Sequence, residues 1–266
     1  MDSHISEEKL RSKIVTTMYG KKRLDLSGCD LIKLPEALPE LTDHELEELY
    51  LSRNKLKTIP ENVGKLNNIT IVDVSGNQLS IFPASLTQLK KLRWLNISHN
   101  KLTTVPDAIG EMVEIGILDL SYNQLTVLSP VIKQLKKLKW LNISHNKLTT
   151  IPDAIGEMVG LGGLDLSYNQ LSVLSPAITQ LKKLKWLDIS HNKLTTIPDS
   201  IAEMVGLERM NMSYNQLTVF SPIIKQLQKK LRSLYMNGNP FTVEGMRNVT
   251  QLDDSRIIEG VYTDLQ

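Results

Sequence analysis

Histidine, tyrosine and aspartate supply the side chains in this 266-residue chain that could transfer protons or hold a metal ion. The histidines His99, His145 and His191 recur every 46 residues and alternate with Tyr122, Tyr168 and Tyr214. If these positions stack on a parallel sheet, two strand spacings separate successive histidines by about 10 Å. Ligands of one zinc ion must each come within about 2.1 Å of it, so the histidines cannot share a metal. We therefore predict no metal site and no cofactor.

An acid–base role is the other chemistry to consider, because Tyr122 and His145 fall near Asp119 in the repeat. Such catalysis would be accompanied by an activated nucleophile, a phosphate-binding loop or a pair of clustered acids, and none accompanies these residues. A solvated polar face accounts for them better. We predict that the chain is not an enzyme.

The charge balance restricts the classes of partner. Thirty-one basic and 29 acidic side chains leave a formal net charge of +2, too small for strong attraction to nucleic acid or to an anionic membrane surface. Residues 1–20 contain no apolar run that could form a signal peptide or a membrane span. The single cysteine, Cys29, can form no internal disulfide. We expect a cytoplasmic protein without a nucleic-acid partner or a membrane span.

An internal repeat organises most of the chain. Asparagines recur every 23 residues, at Asn54, Asn77, Asn100, Asn123, Asn146, Asn169, Asn192 and Asn215. Asn239 continues the series after one inserted residue. Each lies in the frame LxxLxLxxNxLxx followed by an apolar residue, illustrated by Leu138, Leu141, Ile143, Asn146, Leu148 and Ile151.

The alternation around Leu141 and Ile143 predicts a short strand with one buried face, since Trp140, Asn142 and Ser144 fall on the opposite side. Pro152, Ile155 and Met158 then predict a short helical or 3-10 return. One such coil cannot bury its apolar edge alone, so the coils must stack and their strands form a parallel sheet. The repeated asparagine is expected to bond backbone groups at the bend with its amide.

The two ends of the array are atypical, as capping repeats should be. Residues 6–18 are predicted to form an amphipathic helix that begins at Ser6 and presents Leu10, Ile14 and Met18 on one face. We assign residues 1–21 to an N-terminal capping helix, 22–241 to about ten repeats and 242–266 to a C-terminal cap and tail, in which Leu252, Ile257 and Ile258 should seal the last coil. Cys29 is expected to be buried in place of the first asparagine.

A longer period overlies the short one. Residues 92–137 and 138–183 differ at eight positions in 46, so the copied unit is a pair of repeats. In the second repeat of each pair, Ser129, Ser175 and Ser221 precede proline and are predicted N-caps. Recent tandem duplication, selection for a two-repeat binding pattern and a consensus-designed scaffold each explain the pairing.

The exposed strand positions are where binding is expected, because core positions are committed to packing. Stacking should align a column of Trp94, Ile117, Trp140, Gly163, Trp186 and Arg209 and a second of Asn96, Asp119, Asn142, Asp165, Asp188 and Asn211. An exposed serine column from Ser98 to Ser213 should follow, and then the column formed by His99, Tyr122, His145, Tyr168, His191 and Tyr214.

Exposed tryptophans are enriched at binding hot spots, so we predict that these columns grip a protein partner. Gly163 should leave a hollow between Trp140 and Trp186. In the alternative interpretation, each indole lies flat on the neighbouring strands and shields their backbone from water.

Lysine pairs precede the strands at 90–91, 136–137, 182–183 and 229–230, and stacking should place them along one rim of the sheet. The returns of alternate repeats supply the acids Asp107, Glu111, Asp153, Glu157, Asp199 and Glu203. Such a rim usually only solvates a protein, but it could also steer an acidic partner.

The 23-residue LxxLxLxxNxLxxIPxxI frame resembles the intracellular, Ras-group leucine-rich repeats over roughly residues 22–241. That resemblance implies an α/β leucine-rich repeat solenoid and a scaffold or adaptor that binds a protein through its concave face, such as a small GTPase or a phosphatase complex. We expect a monomer. In the alternative, the chain is the recognition arm of a larger signalling enzyme or receptor, such as a Roco or death-domain protein.

Overall fold

The computed structural model describes residues 7–35, 38, 45–219 and 231–242. The chain divides into two compact units, Met1–Leu125 and Thr126–Gln266. Within each unit, short strands alternate with tight returns at the spacing that the repeat frame predicts. The predicted α/β solenoid architecture is confirmed in both.

The first unit begins with a helix, α1, at Glu7–Ser12. Its strands are β1 (Ile14–Thr16), β2 (Lys22–Asp25), β3 (Leu46–Tyr50), β4 (Ile71–Asp73), β5 (Trp94–Asn96) and β6 (Ile117–Asp119). Strand β1 pairs antiparallel with β2, whereas β2 to β6 pair parallel in chain order. The returns include 3-10 helices at Glu61–Lys65 and Asp107–Glu111 and a one-turn α-helix, α2, at Ala84–Thr87.

The second unit has strands β7 (Trp140–Asn142), β8 (Gly163–Asp165), β9 (Trp186–Asp188), β10 (Arg209–Asn211) and β11 (Ser233–Tyr235). All its pairings are parallel and in register, so equivalent frame positions are direct neighbours. The returns are 3-10 helices at Pro130–Gln134, Asp153–Glu157, Pro176–Gln180 and Asp199–Glu203.

The core follows the frame coil by coil. In the coil of β7, Leu141, Ile143, Leu148, Ile155 and Met158 are all buried. Full burial of each such side chain contributes about 1.5–3 kcal/mol relative to its exposure to water. Because this apolar surface is buried against the neighbouring coils, packing between coils helps to hold the strands in register.

The repeated asparagines have the structural role that their position predicts. Asn169 Oδ1 accepts from the Leu148 amide at 3.0 Å, while its Nδ2 donates to the carbonyls of Ile143 at 3.0 Å and Leu166 at 3.1 Å. One side chain thus satisfies backbone groups of two successive coils, at a bend where these groups have no hydrogen bonds to a neighbouring strand. Equivalent bonds form at Asn54, Asn77, Asn100, Asn123, Asn192, Asn215 and Asn239.

The predicted serine caps are confirmed where the structure describes them. The hydroxyl of Ser129 accepts from the Val131 amide at 3.3 Å, and that of Ser175 accepts from the Ala177 amide at 3.1 Å. Ser221 lies outside the described residues, as do Ser6 and the tail residues Leu252, Ile257 and Ile258.

The N-terminal prediction is partly wrong. Leu10 is buried as expected, but α1 ends at Ser12 and Ile14 begins β1. The β-branched run Ile14–Thr16 favours a strand and pairs back on β2. Met18 consequently lies in the hairpin loop and is 89% exposed.

Cys29 also departs from expectation, because it is only half-buried. Its Sγ lies 3.6 Å from the carbonyl of Ser27. This contact corresponds to the bond from Asn54 Nδ2 to the carbonyl of Ser52 at 3.3 Å in the next coil, so the thiol reproduces one bond of the asparagine that it replaces.

Candidate functional site

A pair of stacked indoles is the central feature of the exposed strand face in the second unit. The ring centroids of Trp140 and Trp186 lie 4.8 Å apart with an interplanar angle of 18°. Gly163 lies between them in the register, and a Cβ there would overlap Cε3 and Cζ3 of Trp140. The predicted hollow is therefore wrong: the indole of Trp140 itself lies over Gly163. Trp186 is half-buried, whereas Trp140 remains 36% exposed.

An open pocket of about 340 Å³ adjoins the indole pair, lined by Trp140, Gly162, Lys185, Trp186, Glu208 and Arg209. Glu208 contacts two cations, since its carboxylate oxygens lie 3.3 Å from Lys185 Nζ and 3.4 Å from Arg232 Nε. Arg209 is exposed, and its guanidinium forms no ion pair with any residue that the structure describes. The pocket thus combines an aromatic wall with excess positive charge.

The Asn/Asp column is half-buried and largely committed to the backbone. Asn142 Oδ1 accepts from the Ser144 amide at 3.0 Å and from its hydroxyl at 2.8 Å. Asp188 accepts the same two bonds from Ser190 at 2.9 and 2.6 Å. Corresponding bonds to the following serine amide fix Asn96, Asp119, Asp165 and Asn211. These side chains terminate the strands and hold their ends rigid.

The predicted exposure of the serine column is wrong. Ser98, Ser121, Ser144, Ser167, Ser190 and Ser213 are all buried. In the coils of β8 and β9, the serine hydroxyl turns back to the carboxylate of the same strand instead of pointing to solvent.

The histidine and tyrosine rings form face-to-face stacks. In the second unit, His145 and Tyr168 are 4.0 Å apart, Tyr168 and His191 are 3.9 Å apart, and His191 and Tyr214 are 4.3 Å apart. In the first unit, His99 stacks on Tyr122 at 4.0 Å. The predicted site residues of this column are therefore brought together within each unit, as neighbouring rings and not as a catalytic set.

The same residues adopt a left-handed backbone, which sequence reasoning missed. Their φ angles lie between 51° and 55°. Glycine occupies the equivalent position in other coils, at Gly28, Gly76 and Gly238. A side chain with a Cβ costs about 1–2 kcal/mol in this conformation, and an aromatic stack contributes about 0.5–1.5 kcal/mol. Ring stacking thus offsets backbone strain along the column.

The first unit presents a different strand face. Trp94 is half-buried beside Ile117, but nearer the N-terminus Arg23 and Glu48 occupy the same column, and Tyr50 lies in the neighbouring Asn/Asp column. Arg23 Nε lies 2.8 Å from Glu48 Oε2, and its guanidinium lies 4.7 Å from the ring centre of Tyr50. Glu48 is 5% exposed. Sequence reasoning missed this cluster, which extending the columns upstream of residue 92 would have found.

Two pKa shifts accompany the cluster. The hydrogen bond to Glu48 is the main cause that raises the pKa of Arg23. Burial raises the pKa of Tyr50, and the nearby Glu48 carboxylate adds to the shift. Both shifts keep the residues in their ordinary charge states, with Arg23 cationic and Tyr50 neutral.

The lysine rim and the acidic returns contact each other. Lys90 of the rim lies 2.9 Å from Glu111, and Lys133, which belongs to a return and not to the rim, lies 3.1 Å from Glu157. Lys182 is 3.9 Å from Glu203. These exposed pairs offset part of the positive charge along the rim. Lys229 and Lys230 lie outside the described residues.

Among the described residues, no three His, Cys, Asp or Glu side chains come together as a metal site would require. Within the same residues, no helix has the length and apolar character needed to cross a bilayer.

Stacked coils with an exposed strand face define a repeat protein of the binding type. The family model described as leucine rich repeat matches residues 44–102, 79–125, 114–171, 160–217 and 182–241. The chain belongs to the leucine-rich repeat family. Proteins of this family generally mediate protein–protein interactions.

Known proteins similar to this chain differ in size and setting. A leucine-rich repeat protein of Leptospira interrogans is 34% identical with a TM-score of 0.83, over 89% of this chain and 60% of that one. The ectodomain of the plant membrane receptor kinase GASSHO1/SCHENGEN3 from Arabidopsis thaliana, solved in complex with Casparian strip integrity factor 2, is 30% identical with a TM-score of 0.72, over 85% and 28%. Adenylate cyclase of Schizosaccharomyces pombe is 33% identical over 87 residues, 32% of this chain and 5% of the cyclase.

Proposed function

We propose that the chain is a scaffold or adaptor that binds a protein partner through the exposed strand face of its second unit. The observation that carries this proposal is the stacked pair Trp140 and Trp186, held over Gly163 at the edge of an open pocket. Large aromatic side chains kept in contact with water are enriched among the residues that dominate binding energy.

Preorganisation favours this surface over a merely solvated one. The indoles support each other, and the neighbouring Asn142 and Asp188 are fixed by bonds to serine. A partner would therefore bury apolar surface without ordering flexible side chains first, which removes a cost of about 0.5–1.5 kcal/mol for each residue. Burial itself contributes about 25 cal/mol for each Å² of apolar surface.

The setting proposed for this function is intracellular signalling. The frame at Ile151 and Pro152 resembles the Ras-group repeats, which favours a cytoplasmic monomer acting on a small GTPase or a phosphatase complex. A recognition arm of a larger protein is the second candidate. It is favoured by the coverage of the relatives, since the chain spans 60% of the Leptospira protein and 5% of the yeast cyclase.

The test compares the intact chain with a variant carrying Trp140→Ala and Trp186→Ala. Proteins are captured from a lysate on each, and a recovered partner is purified and titrated while tryptophan fluorescence is recorded. We expect the double variant to lose at least tenfold in affinity, about 1.4 kcal/mol. Trp94→Ala is the matched control, because that indole lies in the first unit and should leave the affinity within twofold.

Circular dichroism and urea unfolding must show that all three proteins are folded. Equal affinity of the intact chain and the folded double variant would contradict the proposal and direct attention to the rim lysines or to the cluster of Arg23, Glu48 and Tyr50.

A further inference from the structure

The charges around the pocket do not balance. Lys185 and Arg209 line the pocket together with one carboxylate, Glu208, and Arg232 contacts the same carboxylate from outside the lining. Glu208 contacts both Lys185 and Arg232, so these two cations share one negative charge. The guanidinium of Arg209 has no acidic partner among the residues described. Arginine presents a planar fork of donors that matches a carboxylate in two parallel hydrogen bonds.

The aromatic wall lies one strand from this guanidinium. Arg209 is the register neighbour of Trp186, and strands in a sheet are about 4.8 Å apart. In an extended peptide, side chains two residues apart point the same way and are separated by about 6.6 Å. An extended segment that crosses the strands could therefore place the acidic side chain of residue i on Arg209 and the apolar side chain of residue i+2 on the indole of Trp186, because the two spacings differ by only about 1.8 Å.

Acids that follow the indoles along the strands restrict where a carboxylate of that segment can lie. Asp165 and Asp188 follow the tryptophan column on the sheet face, and the Oδ2 of Asp188 accepts from Asn211 Nδ2 at 3.0 Å. An anionic ligand group placed there would face two carboxylates, which is unfavourable. The favourable location for a ligand carboxylate is near Lys185, which precedes the tryptophan column, and near Arg209, which continues that column on the next strand.

We infer that this pocket binds an extended acidic segment of the partner protein, with a carboxylate on Arg209 and Lys185 and an apolar side chain two residues away on Trp186 and Trp140. The inference rests on the proposed function and specifies the chemistry of its partner. It requires a peptide with the pattern acid-x-apolar, read in either direction.

The probe is a random dodecamer library displayed on phage and selected on the full chain. We expect the enriched peptides to carry Asp or Glu two positions from Trp, Phe, Leu or Ile. One enriched sequence, synthesised with blocked ends, is then titrated against the protein by tryptophan fluorescence. Raising the ionic strength from 0.1 to 0.5 M should weaken its binding severalfold, because a contact between exposed charges is screened by salt.

Charge variants separate this site from general electrostatic attraction. Arg209→Glu should weaken the peptide at least tenfold, and Arg209→Lys should weaken it less, because the charge remains but the paired hydrogen bonds of the guanidinium are lost. Lys193→Glu is the matched reversal at an exposed lysine beyond the asparagine bend, and it should change the affinity less than twofold.

The outcomes distinguish the two proposals. Enriched peptides that lack acids, yet lose binding to Trp186→Ala, overturn the inference and leave the proposed surface standing. Peptides that bind equally to the Trp140→Ala and Trp186→Ala double variant overturn the surface itself. A selection that enriches no sequence also contradicts the inference, since it requires that a short segment binds alone.

Discussion

The indole of Trp140 packs against that of Trp186, although 46 residues of chain separate them. This contact exists because Gly163 on the intervening strand has no side chain. The arrangement joins two aromatic side chains into one surface, and it makes a glycine essential to the binding site that we propose there.

Gly163→Ala should break that contact. The added methyl group would overlap the ring of Trp140, so the indole must leave Trp186, with a loss of about 0.5–1.5 kcal/mol of stacking energy. We expect the near-ultraviolet circular dichroism of the tryptophans to change and the urea midpoint to fall. Gly162→Ala is the control, because its added Cβ would be 3.5 Å from the nearest atom, the carbonyl oxygen of Lys139. An unchanged tryptophan spectrum in Gly163→Ala would contradict the assignment.

Replacements of Tyr168 should separate backbone strain from ring stacking. Tyr168→Ala and Tyr168→Gly both lose the stacks on His145 and His191, but only alanine retains a Cβ in the left-handed conformation. We therefore expect the glycine variant to be more stable than the alanine variant by about 1 kcal/mol. Urea unfolding measures the difference, and an alanine variant that equals or exceeds the glycine variant would show that strain at this position is negligible.

Removal of an asparagine amide should be costly. Asn169→Ala leaves the Leu148 amide and the Ile143 carbonyl buried without their partner, and each such group costs about 1–3 kcal/mol. Urea unfolding should show a loss of at least about 2 kcal/mol, with faster hydrogen exchange at the Leu148 amide. The neighbouring exposed Gln170→Ala should stay within about 0.5 kcal/mol of the intact chain. Similar losses of unfolding free energy in the two variants would refute a special role for the repeated asparagines.

The first unit should lose stability in strongly alkaline solution. Burial raises the pKa of Tyr50 in the folded state above its ordinary value of 10.0, so ionisation is easier after unfolding. This contribution is fully present below pH 10 and declines as the pH rises through the folded pKa. Tyr50→Phe should therefore lose less stability than the intact chain between pH 9 and pH 11. Urea unfolding at the two pH values measures the loss of unfolding free energy in each protein. Equal losses in Tyr50→Phe and the intact chain would rule out a perturbed pKa at Tyr50.

The repeat frame predicts the fold well because its signals are local and redundant. Every coil carries the same alternation around residues such as Leu141 and Ile143, and every bend carries an amide that can satisfy backbone groups. The error at residues 6–18 arose where one pattern fits two structures: Leu10, Ile14 and Met18 have helical spacing, but Ile14 also starts a β-branched run that pairs with β2.

The details of the surface are harder to predict because they depend on neighbours in other coils. A column predicts that Trp140 adjoins Gly163, but only side-chain packing decides that the indole covers the glycine. Likewise, the types of Tyr168 and His191 give no indication of a left-handed backbone. The only available signal was positional, since Gly76 and Gly238 occupy the same place before the bend asparagine.

The alternation of rings in the second unit limits how such an array can change length by recombination. Removing or inserting one 23-residue coil would place two imidazoles or two phenols face to face. A step of 46 residues preserves the alternation of imidazole and phenol rings at the new junction. We therefore expect descendants of this array to gain and lose coils in pairs. Natural selection would then act on the number of coil pairs and not on the number of single coils.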